Sequence, residues 1–439
     1  MIIYLIIVCA LVGLAILMIM PAIRLFESRP LLSLCPLVLI FVATSFYNNG
    51  QPISYDWGGI NINIIDLIGP LLLCLTFPFF FARLRDGCGR HDVLLLLLLL
   101  WSGILGLNYI LGLRAFGLQG ATNEFRSYFY IICIALYVAS LDIARVWQKL
   151  EKLVLFAAFC LSIVAIVGFV EGGFSREDRP IGSSLALLIL QALLIAIFMH
   201  QRGQLRLWLI PLVVALLPLV ILLQHRSVWI VAVISLALVL WLLPSLRTAL
   251  MRWGVIGTVV CGGLCALVFG STILEALTES YADAAASALN PSGADGSGTT
   301  FSWRVQGWTA LLTGEQMDSA RELLIGNPFG TGYDRIMLTS DGVKQLRSES
   351  PHNFYVQTLL RGGALGLLAF VALHGLLLRG LLQRAKRDVA SRSFLLCMAV
   401  LVASQLVYYL VYGSDYIQAI FLGSAIGWLR HSETGHANR

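Results

Sequence analysis

The strongest constraint on this chain is a succession of apolar runs, most of them near the ~20 residues a helix needs to cross the hydrocarbon of a bilayer. They fall near residues 2–20, 31–46, 63–82, 93–112, 127–141, 153–170, 183–200, 207–223, 227–244, 254–270, 355–378, 393–412 and 416–429. Lipid offers the backbone no hydrogen-bond partner, so only helices and closed barrels span it. Barrel strands alternate over ~10 residues, and these runs do not alternate. The expected fold is therefore all-α: a polytopic membrane bundle of 12 or 13 helices. Composition agrees, since 58% hydrophobic and 12% charged residues is more apolar surface than a water-soluble interior of this length can hide. Secreted soluble, nucleic-acid-binding and disordered classes are excluded.

The net charge of +6 mainly encodes topology. Lys and Arg collect in short cytoplasmic loops. With the loop of Arg24 and Arg29 inside, 19 basic residues fall on that side and 11 on the other, five of them in one long loop where the rule does not operate. This places Arg83 to Arg90, Arg145 to Lys152 and Arg379 to Arg392 in the cytoplasm. The nine Cys lie in apolar runs or, for Cys88, in a short basic loop, and give no extracytoplasmic disulfide framework. The first run lacks a basic leader and a small-residue cleavage site, so it is expected to remain a membrane helix.

Residues 271–354 break the rhythm, and a loop of this length is usually functional. The chain thus divides into an N-terminal bundle (1–270), a long outer loop (271–354) and C-terminal membrane helices (355–439). Residues 291–298 read as a flexible connector. Residues 301–312 space their apolar side chains as an amphipathic helix. A second short helix follows, with Ser319 or Asp318 as N-cap before Arg321. Gly326-Asn-Pro-Phe-Gly-Thr-Gly332 predicts tight turns. The loop is expected to form a small helical cap on the outer face.

The cap ends in Ser348-Glu-Ser-Pro-His-Asn-Phe-Tyr355. Ser350 is the expected N-cap of the next membrane helix, with Pro351 in its first turn and His352 and Asn353 at the positive end of its dipole. That position favours an anion and disfavours imidazolium, so His352 is a candidate proton acceptor; the alternative is a pair of interfacial polar residues finishing a loop. Gln224-His-Arg-Ser227 is a polar turn between two long apolar runs, on the outer side. A membrane-edge cation costs ~2.5 kcal/mol or more unless paired or snorkelled, which singles out Arg226, with His225 beside it. Arg304 follows Trp303 in the first cap helix, and Arg179 and Arg126 add outward cations. Asp66 is expected to pair within the bundle.

Arginines match phosphate oxygens bidentately and keep their charge. A group of them beside one imidazole at the outer leaflet points to a phosphate or diphosphate headgroup. The sequence has no His-x-His, Glu-x-x-His, Asp-x-Asp, P-loop or G-x-S-x-G pattern. No metal site and no cofactor are expected, and the energy must arrive with the substrate. A polyprenyl diphosphate bearing a sugar is such a substrate, because its diphosphate is already a good leaving group.

With His352-Asn-Phe-Tyr355 followed by Leu359 and Gly362-Gly363, Gly326–Gly332 upstream, and one long outer loop before the last spans, the chain resembles the O-antigen ligase and polysaccharide polymerase superfamily. The resemblance implies a GT-C-like bundle in the bacterial inner membrane with its active site facing the periplasm. It implies a metal-independent glycosyltransferase using an undecaprenyl-diphosphate-linked glycan as donor, and lipid A-core or a second lipid-linked glycan as acceptor. By the same resemblance Arg226 and Arg304 correspond to the diphosphate-contacting arginines and His352 to the essential histidine. Arg179, Arg126, His225, Asn353 and Trp303 are then candidates for substrate contact. Here Arg226 departs from the family pattern in being flanked by His225, Ser227, Val228 and Trp229. A single large outer loop favours a ligase over a polymerase. A flippase or other transporter is the alternative of another class, but would show repeated halves, which this chain does not.

Overall fold

The computed structural model describes residues 25, 29, 31–46, 54–57, 60–86, 92–172, 180–206, 210–244, 300–314, 317–338 and 344–437. Its helices are α1 (Leu31–Phe46), α2 (Ile64–Asp86), α3 (Asp92–Ser140), α4 (Ile143–Gly172), α5 (Ser183–Gln201), α6 (Ile210–Leu222), α7 (Arg226–Leu242), α8 (Thr300–Thr313), α9 (Ala320–Ile325), α10 (Phe354–Arg387), α11 (Arg392–Tyr408) and α12 (Tyr416–Ala437). Four of these, α3, α4, α5 and α10, are long and apolar enough to cross a membrane by length and composition, and shorter apolar helices accompany them. The expected spans near 2–20 and 254–270 and the connector at 291–298 lie outside the described residues. Two short antiparallel hairpins, unforeseen in the sequence, interrupt the helices: β1 (Ser54–Trp57) with β2 (Ile60–Asn63), and β3 (Arg335–Leu338) with β4 (Lys344–Arg347).

The core surrounds α5, in which every side chain from Leu185 to Met199 is buried. Helices in lipid gain little from apolar contact alone, so polar side chains join them. Gln191 of α5 donates to Gln418 of α12 at 2.8 Å and to Ser404 of α11 at 3.3 Å.

Two helices reverse at a glycine. Gly117 in α3 has φ 74°, and Gly363 in α10 has φ 61°, a region costly for any residue with a Cβ. Tyr109 stacks on Phe125 at 4.4 Å across the first reversal, and Trp101 lies 6.2 Å from Tyr128. Residues 92–116 and 118–140 are thus antiparallel arms joined without a loop. In α10, Phe354 packs on Phe370 at 5.4 Å, so residues 354–362 fold back on 364–387. The expected span at 355–378 falls within a helix long and apolar enough to cross a membrane, but its residues before Gly363 fold back on the rest. Phe370 lies about 10 Å along its helix from Gly363 at ~1.5 Å per residue, and the start of α10 is sunk by that depth below the reversal.

The bundle has two unlike ends. At one, Arg430 pairs with Asp92 at 3.1 Å, Arg202 pairs with Glu151, and Ser393 donates to Gln201 at 2.9 Å. The basic clusters Arg145–Lys152 and Arg379–Arg392 share this end, as the alternation of loops predicts. The other end gathers the starts of α5, α7 and α10, the α11–α12 connection and the cap.

Candidate active site

The cap is anchored before it forms anything open. Of the two expected caps, Ser319 and not Asp318 is the N-cap of α9, with a reciprocal capping box to Glu322. The turns at 326–332 then enter the bundle, with Gly326, Gly330 and Gly332 all at positive φ. The amide of Asn327 donates to the Leu360 carbonyl at 2.7 Å, and that of Phe329 to the Asn108 carbonyl at 3.2 Å. Arg361, fully buried, pairs with Glu124 at 2.7 Å and donates to the carbonyls of Pro328 at 3.1 Å and Gly332 at 2.6 Å. Glu124 in turn accepts from the amides of Gly330 and Gly332. The sequence does not single out this pair, because Arg361 lies within one apolar run and Glu124 just before another, far apart in the chain.

Beyond the anchor, two elements converge on the α11–α12 connection. The indole of Trp308 in α8 donates to the Pro351 carbonyl at 2.7 Å, fixing α8 against the turn that carries His352. The amide of Phe354 donates to the Tyr409 carbonyl at 2.9 Å. One helical turn before Trp308, Arg304 donates to the Val411 carbonyl at 3.2 Å, with its guanidinium 5.4 Å from the centre of the Tyr412 ring. The His352 ring meets the same Tyr412 edge-on at 6.3 Å. Arg304 and His352, separate in sequence, therefore share one aromatic neighbour.

His352 has φ 47° and Gln224, just before His225, has φ 55°; among the described residues these are the only two non-glycine positions with positive φ. Backbone strain of this kind costs ~1–3 kcal/mol and concentrates at functional sites. His352 is exposed at the residue level. Its imidazole nevertheless titrates below the usual histidine range: partial burial is the main cause, the Arg304 and Arg335 guanidiniums act in the same direction, and Glu349 opposes them. Arg335, on β3, is not foreseen by the sequence; it donates to the Glu349 carbonyl at 2.6 Å and so stands beside the histidine turn.

Arg226 begins α7 at this end, after His225 as N-cap residue. His225 is buried and its Nε2 lies 2.9 Å from the Ile181 carbonyl. Ser183, two residues on, meets the Tyr408 hydroxyl at 2.8 Å, and Tyr408 stacks on Tyr412 at 5.2 Å. A continuous path thus links the start of α7 to the ring shared by Arg304 and His352. Asn353 is the N-cap of α10, its side chain accepting from the amides of Tyr355 at 3.0 Å and Val356 at 3.1 Å. The expected cap, Ser350, instead accepts from Gln357 at 2.5 Å. Arg126 pairs with Asp66 at 3.1 Å, and Asp66 also accepts from Tyr130, as expected for a carboxylate used within the bundle. Trp303 falls within α8, its side chain outside the description, and Arg179 lies outside the described residues altogether.

What fold and site define is a class: a multi-pass helical membrane protein with a guanidinium and imidazole cluster at one end of the bundle, beneath an anchored cap. Residues 211–371 match the family model for O-antigen ligase. That match supports the resemblance to the O-antigen ligase and polymerase superfamily, and with it glycosyl transfer of the ligase or polymerase type on lipid-linked glycans. The matched segment contains Arg226, Arg304, His352 and Arg361 with the turns at 326–332, whereas the anchor's partners Asn108 and Glu124 lie before it. No curated protein and no solved structure matches the chain.

Proposed function

We propose that this protein is an inverting glycosyltransferase of the bacterial inner membrane that moves a glycan from undecaprenyl diphosphate onto a hydroxyl of lipid A-core at the periplasmic face. The observation that carries this reading is the Tyr412 ring, which brings the Arg304 guanidinium and the His352 imidazole to one place. A donor with its diphosphate against Arg304, and against Arg226 at the start of α7, would present its anomeric carbon toward His352. The acceptor oxygen attacks that carbon, the bond from the carbon to the diphosphate oxygen breaks, and Nδ1 or Nε2 of His352 takes the hydroxyl proton. Charge developing on the departing diphosphate is met by the arginines. A lowered imidazole pKa keeps His352 neutral, hence able to accept, at neutral pH. One displacement inverts the anomeric centre.

The test is incubation of the purified protein with a defined polyprenyl-diphosphate glycan and either lipid A-core or a second lipid-linked glycan. Glycosylated lipid A-core supports the ligase reading, whereas elongated lipid-linked glycan alone makes the protein a polymerase. His352→Ala is expected to lower transfer by ~10²–10⁴-fold, the usual worth of a general base. Arg226→Ala and Arg304→Ala should abolish transfer with the protein still folded in the membrane. Undiminished transfer in all three would remove the site. Activity should survive chelator, and loss with EDTA that Mg²⁺ restores would overturn arginine-based charge stabilisation.

A further inference from the structure

Beside the Tyr412 site, and sharing the α11–α12 connection with it, lies a cavity of about 420 Å³, within the ~300–1,000 Å³ range of pockets that enclose small organic ligands. Arg304 and His352 meet this connection at Val411 and Tyr412, whereas the cavity meets it at Ser414, Asp415 and Tyr416. The remaining wall is built from Phe41 of α1, Asn63 at the end of β2, the starts of α2 and α5 and the second arm of α3, where Asn123 is exposed.

The lining is chemically specific. Arg126 reaches the cavity already paired with Asp66, and the Tyr130 hydroxyl donates to the same carboxylate at 2.5 Å. Asp415 adds a second carboxylate, accepting from the Tyr416 amide at 2.6 Å. Burial pushes the Asp415 carboxyl up to about 6, against the backbone amides of Tyr416 and Ile417 and the Ser184 hydroxyl, which hold it down. With its one guanidinium paired and a further carboxylate present, the cavity does not suit a diphosphate. Asn63, Asn123 and Ser184 offer both donors and acceptors, and Asp415 an acceptor, while Phe41, Tyr130 and Tyr416 supply aromatic surface. Hydroxyl groups on an apolar ring frame are the complement of such a wall.

We propose that this cavity is a saccharide subsite that holds an uncharged sugar unit of one of the two glycan substrates beside the reacting centre. The inference rests on the glycan-transfer reading and extends it to recognition. Two sources carry the same chemistry: the acceptor core oligosaccharide and the donor's repeat unit.

Binding of lipid-free saccharides to the full-length protein in detergent tests this directly. The probes are core oligosaccharide released from lipopolysaccharide and the repeat-unit oligosaccharide released from its carrier, followed by calorimetry or saturation-transfer NMR. One of them should bind wild type, and Asn123→Ala and Asp415→Asn should each weaken it about tenfold, roughly the loss of one good hydrogen bond. In turnover the same variants should raise KM for the matching substrate with kcat held. His352→Ala should bind the saccharide as wild type does. Were His352→Ala to remain fully active while Asn123→Ala lost saccharide, the catalytic reading would fail and the subsite would stand. Wild-type affinity for both saccharides in both cavity variants, or no binding of either to wild type, would overturn the subsite.

Discussion

Arg361 and Arg304 stand at the same end of the bundle and are held in opposite ways. Arg361 has no exposed side-chain surface; Glu124 lies 2.7 Å away, two loop carbonyls accept from it, and the Tyr333 ring sits 4.7 Å beneath its guanidinium. Arg304 is half-buried, donates to the Val411 carbonyl at 3.2 Å and lies over Tyr412. A buried charge whose partners are all supplied by the protein is part of the scaffold. One that meets only a carbonyl and an aromatic ring among these partners is, on the proposed reading, left for the anionic donor.

The two substitutions should therefore separate. Arg361→Met leaves the half-buried Glu124 carboxylate with only the Gly330 and Gly332 amides and frees the turns at 326–332, and breaking a buried pair typically costs ~3–5 kcal/mol. The expected result is loss of the folded protein, measured by denaturant or thermal unfolding in detergent. Arg304→Ala should stay within ~1 kcal/mol of wild type, as for a partly exposed group with few protein partners, while transfer is lost. A stable, active Arg361→Met protein would break the contrast.

The same contrast applies to glycines. A Cβ at Gly363 would fall on the backbone of Leu324 and Ile325, and its φ is already 61°. Gly363→Ala is expected to destabilise by at least ~1–3 kcal/mol and to loosen the cap, raising amide exchange in residues 324–332. Gly103, in the same bundle, has nothing within 4 Å of the place a methyl group would take, and Gly103→Ala should stabilise by up to ~1 kcal/mol through helix propensity. Equal effects at the two positions would show that the reversal at Gly363 is not what fixes the cap.

These contrasts show which features the sequence can reveal. Membrane helices are legible because apolar run length is a local property, and Ser319 because a capping box is written within four residues. His352 and Arg304 can be nominated singly, since a lone imidazole or cation at a membrane edge stands out against an apolar background. Their meeting through Tyr412 cannot, because it depends on how the α11–α12 connection packs between α8 and α10. The tyrosines at 408, 409 and 412 lie in the apolar run 393–412 and carry no local mark of this contact. Arg361 and Glu124 escape for a related reason: Arg361 sits inside a run that still reads as a membrane span and Glu124 just before another, and only the fold pairs them. The reversals escape because a single glycine inside a helical pattern carries no local mark of a positive φ. Ser350 reads as a better N-cap than Asn353 because both are good caps and Pro351 suggests an earlier start; in the fold the helix begins only after Asn353, once the strained turn at His352 is complete.

The smallest expected effect is a shift in pH dependence, and it bears most directly on what makes the open region different. His352 is depressed by burial first, then by Arg304 and Arg335, and raised by Glu349. Transfer that needs the neutral imidazole should persist below the usual histidine pKa of ~6.5 and fall only once His352 is protonated. Removing a neighbouring positive charge with Arg335→Gln should move the imidazole pKa upward, so that the acidic limb of the transfer profile appears at higher pH. Removing the negative charge with Glu349→Gln should move it the other way. Both follow from the imidazole resonance of His352 by NMR, and the transfer profile should shift with it in each variant. A limb that stays fixed while the imidazole shifts would mean that the proton is taken by another group, and the pairing of Arg304 with His352 around Tyr412 would then describe binding without proton transfer.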